Sequence, residues 1–168
     1  MSSDSLANTV SCQFGRSGEA VRQNIPELEA KMHFFSTYAS MGFADAVAAA
    51  KEALKREGFS ILAEIDMRQV LKRHLSVDLR PYLILSAFNL PLVHRAIEAD
   101  DAIGSMLLCD MVIQEHGDSC VEFSVVDPAC TIGTVNHVVI ISIAEELQSL
   151  VQKVMDDIEA APKFHRAA

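Results

Sequence analysis

Residues 100–115 read Asp-Asp-Ala-Ile-Gly-Ser-Met-Leu-Leu-Cys-Asp-Met-Val-Ile-Gln-Glu and lead the chain from an apparent helix, through a short apolar segment, into a strand. A second predicted strand, residues 120–126, follows after His-Gly-Asp-Ser, a composition typical of a hairpin turn. The two strands are therefore expected to pair antiparallel. Cys109, where the first of them begins, is the best-placed candidate for chemistry.

Three earlier segments also have the pattern of strands. Residues 32–38 and 59–65 alternate apolar with other side chains, as half-buried strands do. Residues 82–88 form an apolar run, which is typical of a central strand covered on both faces or nearly so. With the hairpin, the sequence predicts about five strands.

Helices are predicted between these strands from apolar spacing and capping residues. The first contains Phe43 and Leu54 in one helical stripe and ends at Gly58, since glycine accepts the left-handed conformation that closes many helices. Asp66 is expected to cap a second, short helix, and Asn89 a third that carries Pro91 in its first turn.

The last predicted helix is the one that local propensity would miss. Residues 135–143 are rich in β-branched side chains, which favour strands. Apolar residues nevertheless step by three or four from Val139 to Ile158, so we predict a helix over residues 136–159. Its start is apolar nearly all round, and a second subunit is the simplest cover for the side that the core does not bury.

Length and composition are those of one domain. The chain has 168 residues, of which 50% are hydrophobic, enough for a single substantial core. We expect a flexible, polar N-terminal arm over residues 1–31, one α/β domain over residues 32–160, and a tail over residues 161–168.

Charge and hydropathy exclude several classes of partner. The formal net charge of −9 and the lack of a basic stripe predict no nucleic-acid binding, because that affinity rests on clustered Lys and Arg. No apolar run is long enough to span a bilayer, and the first residues resemble no signal peptide, so a cytoplasmic protein without membrane contact is expected. The four cysteines are widely spaced, which argues against a disulfide or a zinc knuckle.

Several ordered blocks resemble the domain of unknown function 302 family, and the resemblance covers about residues 32–158. The blocks are Gly-Phe-Ser-Ile-Leu-Ala-Glu-Ile-Asp from Gly58, Pro-Tyr-Leu-Ile-Leu from Pro81, His-Arg-Ala-Ile-Glu-Ala-Asp from His94, Ile103-Gly104 followed by Cys109, and Val126-Asp127-Pro128. The resemblance implies a two-layer α/β sandwich with helices on one face of a mixed sheet, a homodimer, and no established activity.

The chain departs from the family pattern at two positions. Members often carry Cys-Asn-Pro at the end of the third strand, whereas this chain has Phe88-Asn89-Leu90 with Pro91 one place later. Members often carry Leu-Pro-Cys before the fourth strand, where this chain has Leu107-Leu108-Cys109. If a metal or redox role in the family needs both cysteines, this chain has lost or altered that role.

Asn89 and Cys109 are the candidate ligand-binding residues. Asn89 lies at a strand-to-helix junction, where free amides favour an anion, and ligands of α/β sheets gather near strand ends. Cys109 requires a positive neighbour to exist as a thiolate, and the sequence shows none. The alternative for Cys109 is a buried, inert thiol in an apolar setting.

No catalytic motif is present, and no catalytic residue, metal or cofactor is assigned. The histidines are scattered; His116 is interpreted as a hairpin residue and His94 as a helix-surface residue. The sequence therefore favours a non-enzymatic homodimer that binds a small ligand or a metal near Asn89 and Cys109. Two alternatives stay open: a thiol-dependent redox enzyme that uses Cys109, and a carrier that holds a metal or cofactor with Cys109 and a histidine of a facing subunit.

Overall fold

The structure is a computed structural model, and it describes residues 34–117, 119–132 and 137–161. The arm predicted over residues 1–31 lies outside the described residues, as does the predicted tail apart from Ala161. Within the described residues, one five-stranded sheet and one hydrophobic core cluster account for most of the buried side chains.

Strands and helices follow one another in the order that the sequence predicts, with two additions. The strands are β1 (Phe34–Ser40), β2 (Ser60–Asp66), β3 (Tyr82–Phe88), β4 (Cys109–Glu115) and β5 (Cys120–Val126). The helices are α1 (Phe43–Arg56), α2 (Met67–Leu75), α3 (Leu90–Ala99), α4 (Pro128–Ile132) and α5 (Val138–Ala160). A 3₁₀ helix (Asp101–Met106) and α4 are the two additions.

The sheet has the order β1-β5-β4-β3-β2, and all four pairs of neighbours are antiparallel. The fold class is confirmed, but the expected mixed sheet is corrected to an antiparallel one. Two consecutive strands can pair in parallel only if a crossover connection places the second strand directly beside the first. Here β1 and β2 are joined through α1 yet lie at opposite edges of the sheet, so they never become neighbours.

One face of the sheet carries the core. In β4 the side chains of Cys109, Met111 and Ile113 are buried, and those between them lie on the other face. The buried residues of the strands join those of α1, α3 and α5 in one cluster, which confirms that the helices pack on one face. The helix α2 contributes no buried residue to that cluster.

The helix α5 begins at Val138, within two residues of the predicted start, and ends at Ala160. Its buried stripe runs from Ile140 through Leu147 to Ile158, at the spacing that the sequence predicts. Burial of this stripe against the sheet outweighs the strand propensity of its first residues, because a β-branched side chain lowers helix propensity by less than 1 kcal/mol. None of the described helices is long and apolar enough to span a membrane.

Candidate functional site

Cys109 lies at the start of β4, opposite Ala87 of β3, and its side chain points to the core face. Beside it the surface opens into a cavity of ≈ 350 Å³, which we call the Cys109 cavity. The cavity lies where β4 begins and β5 ends, next to α4 and α5. This is the end of the sheet at which the sequence predicts a ligand.

The buried part of the Cys109 cavity lining is apolar. It contains Cys109, which is 5% exposed, Leu147 of α5, which is 2% exposed, and the buried ring of Pro128. Val126, half-buried at the end of β5, also lines the cavity, from the face of the sheet opposite to the core. A surface made of these groups gains free energy by excluding water from a nonpolar ligand, at about 25 cal/mol per Å².

The rim of the Cys109 cavity is exposed and carries its polar groups. Met106 and Leu108 are 36% and 40% exposed, so they extend the apolar wall outward. Asp110 and Thr131 are the residues of the lining that have polar side chains other than the Cys109 thiol. Thr131 donates its hydroxyl hydrogen to the carbonyl oxygen of Pro128 at 3.0 Å.

Asp110 is held in place from the neighbouring strand. It lies opposite Ser86 in the pairing of β3 with β4, and the Ser86 hydroxyl donates a hydrogen bond to Oδ1 of Asp110. Ser86 is itself 8% exposed, so its hydroxyl has little freedom to turn elsewhere. The orientation of the carboxylate is therefore set before any ligand arrives.

The Cys109 thiol is held in its neutral form. Burial and, to a smaller extent, the negative charge of Asp110 together raise the pKa of Cys109 from 9.0 to about 12. A reactive cysteine needs the opposite environment, a nearby cation or a helix N-terminus. Cys109 is thus suited to form a wall of the cavity and poorly suited to act as a nucleophile.

The side chain of Asn89 caps a helix and contacts the turn before β2. Its Oδ1 accepts a hydrogen bond from the amide of Leu92 at 3.3 Å, which caps α3, and its Nδ2 donates to the carbonyl oxygen of Glu57 at 3.5 Å. Gly58, at φ +80°, lies directly against the same Nδ2 group, since a Cβ built there would be 3.5 Å from it. Asn89 is therefore engaged on both sides, and it does not line the Cys109 cavity.

The chain is similar to known proteins in both sequence and structure. The sequence profile of a family described as "Domain of unknown function DUF302" matches residues 35–158. The chain belongs to this family. The resemblance predicted from the sequence blocks is confirmed.

The DUF302 fold of this chain is also seen in a solved structure of low sequence identity. It is the crystal structure of an uncharacterized conserved DUF302 protein from Bacillus stearothermophilus, with 21% identity and a TM-score of 0.67. The match covers 74% of this chain and 97% of that one. Among curated proteins, no sequence matches.

Most residues of the Cys109 cavity in this DUF302 domain were not predicted from the sequence. They are brought together by the hydrogen bonds of Asp127 with Ala129 and Gln148, which we call the clamp. Asp127 is 7% exposed, and its Oδ1 accepts the amide hydrogen of Ala129 at 2.9 Å at the start of α4. Gln148 of α5 donates its side-chain amide to both oxygens of the same carboxylate, at 3.1 and 2.9 Å. The clamp fixes α4 against α5 and so brings Pro128 and Leu147 to one wall.

A second polar cluster of the DUF302 domain lies away from the Cys109 cavity. Glu122 of β5 accepts hydrogen bonds from the Tyr38 hydroxyl at 2.9 Å and from Gln114 at 2.8 Å, and its Oε2 lies 2.6 Å from Nε2 of His116. These contacts tie β1, β4 and β5 together beside the hairpin turn. As predicted from the sequence, His116 belongs to the hairpin and His94 is an exposed helix residue.

Proposed function

We propose that this DUF302 protein is a non-enzymatic binding domain that takes a small, largely apolar organic molecule in the Cys109 cavity. The observation that carries the proposal is the cavity itself, with a buried apolar wall and an oriented polar group at its rim. Its volume of ≈ 350 Å³ lies within the range of small-molecule sites, roughly 300–1,000 Å³.

The chemistry of the lining supports binding over catalysis. The cavity is lined by no Lys, Arg or His among the described residues, so no cation stabilises a Cys109 thiolate there. In the part of the chain that the structure describes, no three His, Cys, Asp or Glu side chains converge as a metal site. A metal ion prefers several converging ligands, whereas Cys109 and Asp110 are only two.

A neutral aromatic probe is expected to bind in the Cys109 cavity with millimolar affinity. A ring such as that of benzyl alcohol buries about 100–150 Å² of apolar surface, which corresponds to about 3–4 kcal/mol. Titration followed by amide NMR shifts measures the binding, and shifts should concentrate on Leu108, Cys109 and Thr131. Thr131→Trp, at an exposed rim position, is expected to abolish them.

The matched control is Ser149→Trp, an equally bulky change at an exposed position of α5 that does not line the cavity. It should leave the affinity for benzyl alcohol unchanged. Shifts spread evenly over the surface, or binding that survives Thr131→Trp unchanged, would refute a binding site in this cavity.

We further propose that the domain is a homodimer. The start of α5 leaves Val138, Val139 and Ile141 exposed at 84%, 42% and 39%, while Ile140 between them is fully buried. Exposed apolar side chains clustered at one helix end are typical of a protein contact rather than of a solvated surface. The isologous surface of a second copy would cover them with the same residues, as in most homodimers.

Val139→Lys is expected to shift the protein from dimer to monomer, because a lysine in the centre of an apolar contact would bury a charge without a partner. Sedimentation velocity at micromolar concentration measures the change. Val70→Lys, on α2 at a similar exposure of 38%, is the control and should leave the dimer intact. A wild-type protein that is monomeric at this concentration would rule the dimer out.

The cysteines support a cytoplasmic location for the domain. Cys109 and Cys130 are free thiols in the structure, and a reducing compartment keeps thiols in this form.

A further inference from the structure

We infer that the Cys109 cavity selects ligands that carry a positively charged head group on an apolar body, such as an aralkyl or alkyl amine. This inference rests on the proposed function, and it adds the chemical class of the ligand. It follows from three features of the lining: the position of its charge, the hydrogen bonding of that charge, and the apolar wall behind it.

Asp110 is the charged residue of the cavity lining. Among the described residues no basic side chain lines the cavity to neutralise it. An anionic ligand would meet this carboxylate with no compensating cation, whereas an ammonium group would form a charge-assisted hydrogen bond with it. The net charge of −9 of the whole chain also attracts cationic ligands and repels anionic ones at longer range.

The two oxygens of Asp110 differ in their surroundings. Oδ1 accepts the hydrogen bond from the Ser86 hydroxyl, and within the described part of the chain Oδ2 receives none. Because Ser86 is held in the sheet opposite Asp110, Oδ2 has a defined direction and remains free to accept a hydrogen bond from a ligand. A preorganised acceptor loses little rotamer freedom when the ligand binds.

The charge of Asp110 also reaches the apolar wall. The carboxylate is one of the two causes that raise the pKa of the Cys109 thiol, so its field acts at the sulfur atom inside the cavity. Cys109 and Asp110 are consecutive residues on opposite faces of β4, and the cavity touches both at the end of the strand. A ligand can therefore place its apolar body against Cys109 and Leu147 and its cation beside Asp110.

The size of the expected preference follows from the exposure of Asp110. A pair of opposite charges at an exposed site strengthens binding by about 1.4–5-fold, and the partial enclosure of the rim favours the upper end of this range. Hydrogen bonding to the charged oxygen adds to this contribution. We therefore expect a cationic ligand to bind about 3–10-fold more tightly than its neutral counterpart.

Three probes with one ring and different charges test the inference: benzylamine, which is cationic at pH 7, neutral benzyl alcohol, and anionic benzoate. Dissociation constants come from amide NMR titrations with the wild-type chain at low ionic strength. The expected order of affinity is benzylamine, benzyl alcohol, benzoate. Asp110→Asn keeps the shape of the side chain and should make benzylamine and benzyl alcohol bind equally.

Glu145→Gln is the matched control, since it removes one negative charge at an exposed position of α5 that does not line the cavity. It should leave the preference for benzylamine intact. If benzyl alcohol binds but benzylamine gains nothing, or if Asp110→Asn leaves the preference unchanged, the inference is overturned while the binding cavity stands. If none of the three probes binds, the proposed function fails and the inference fails with it.

Discussion

Phe123→Ala is expected to lower the free energy of unfolding by about 3–5 kcal/mol, a large part of the 5–15 kcal/mol typical of a domain. Phe123 lies in the middle of β5, between β1 and β4, and is fully buried on the core face. Truncation removes its burial from water and also leaves a cavity that the surrounding sheet and helices cannot close. Urea denaturation followed by circular dichroism measures the loss.

Phe34→Ala is the control for this experiment. Phe34 is the same residue type at the start of the neighbouring strand β1, but it is 47% exposed. Its truncation should cost no more than about 1 kcal/mol, because surface substitutions have small effects. Equal losses for Phe123→Ala and Phe34→Ala would contradict the burial of Phe123 on the core face and the exposure of Phe34.

Cys109 is expected to react with iodoacetamide at pH 8 about 1,000-fold more slowly than a small-molecule thiol of pKa 9.0. The thiolate is the reacting form, and at pH 8 a rise of the pKa from 9.0 to about 12 lowers the thiolate population about tenfold for each pKa unit. Burial of the sulfur slows the reaction further. Mass spectrometry of the peptide that contains Cys109 gives the rate.

The pH dependence supplies the second readout of this prediction. Since the raised pKa of Cys109 keeps the thiol protonated, its rate should climb about tenfold per pH unit from pH 8 towards pH 11. Cys130, a partly exposed free thiol of the same chain, is the internal control and should react first. Selective alkylation of Cys109 in the folded protein at pH 7 would contradict this prediction and would restore the thiol-dependent enzyme as a hypothesis.

The two hairpin strands could be predicted from local sequence alone. The predicted ranges, residues 109–115 and 120–126, are those of β4 and β5, because a four-residue turn and two short strands need no distant information. The cap at Asn89 is also local, since the capping oxygen and the amide it accepts from are three residues apart. The helix α5 could be predicted because a stripe of 3.6-residue period extends over its whole length.

Predictions about the candidate site depended on contacts between distant residues and were less complete. The sequence groups Asn89 with Cys109 because both lie near strand ends, whereas in the structure Asn89 caps α3 and contacts the turn at Gly58. The cavity instead joins Cys109 to Leu147, and no spacing pattern links residues that far apart. Asp127 carried no local signal of its role as a clamp, because its partner Gln148 belongs to another helix.

By itself, the sequence determined the family and the order of strands and helices. These depend on periodicity, capping and turn composition, which act within a few residues. The tertiary structure alone decided that every strand pair is antiparallel, that the Cys109 thiol is neutral, and that Cys109 and Asp110 both line one cavity. Strand pairing, burial and electric fields depend on which distant segments meet, and that is settled only when the chain has packed.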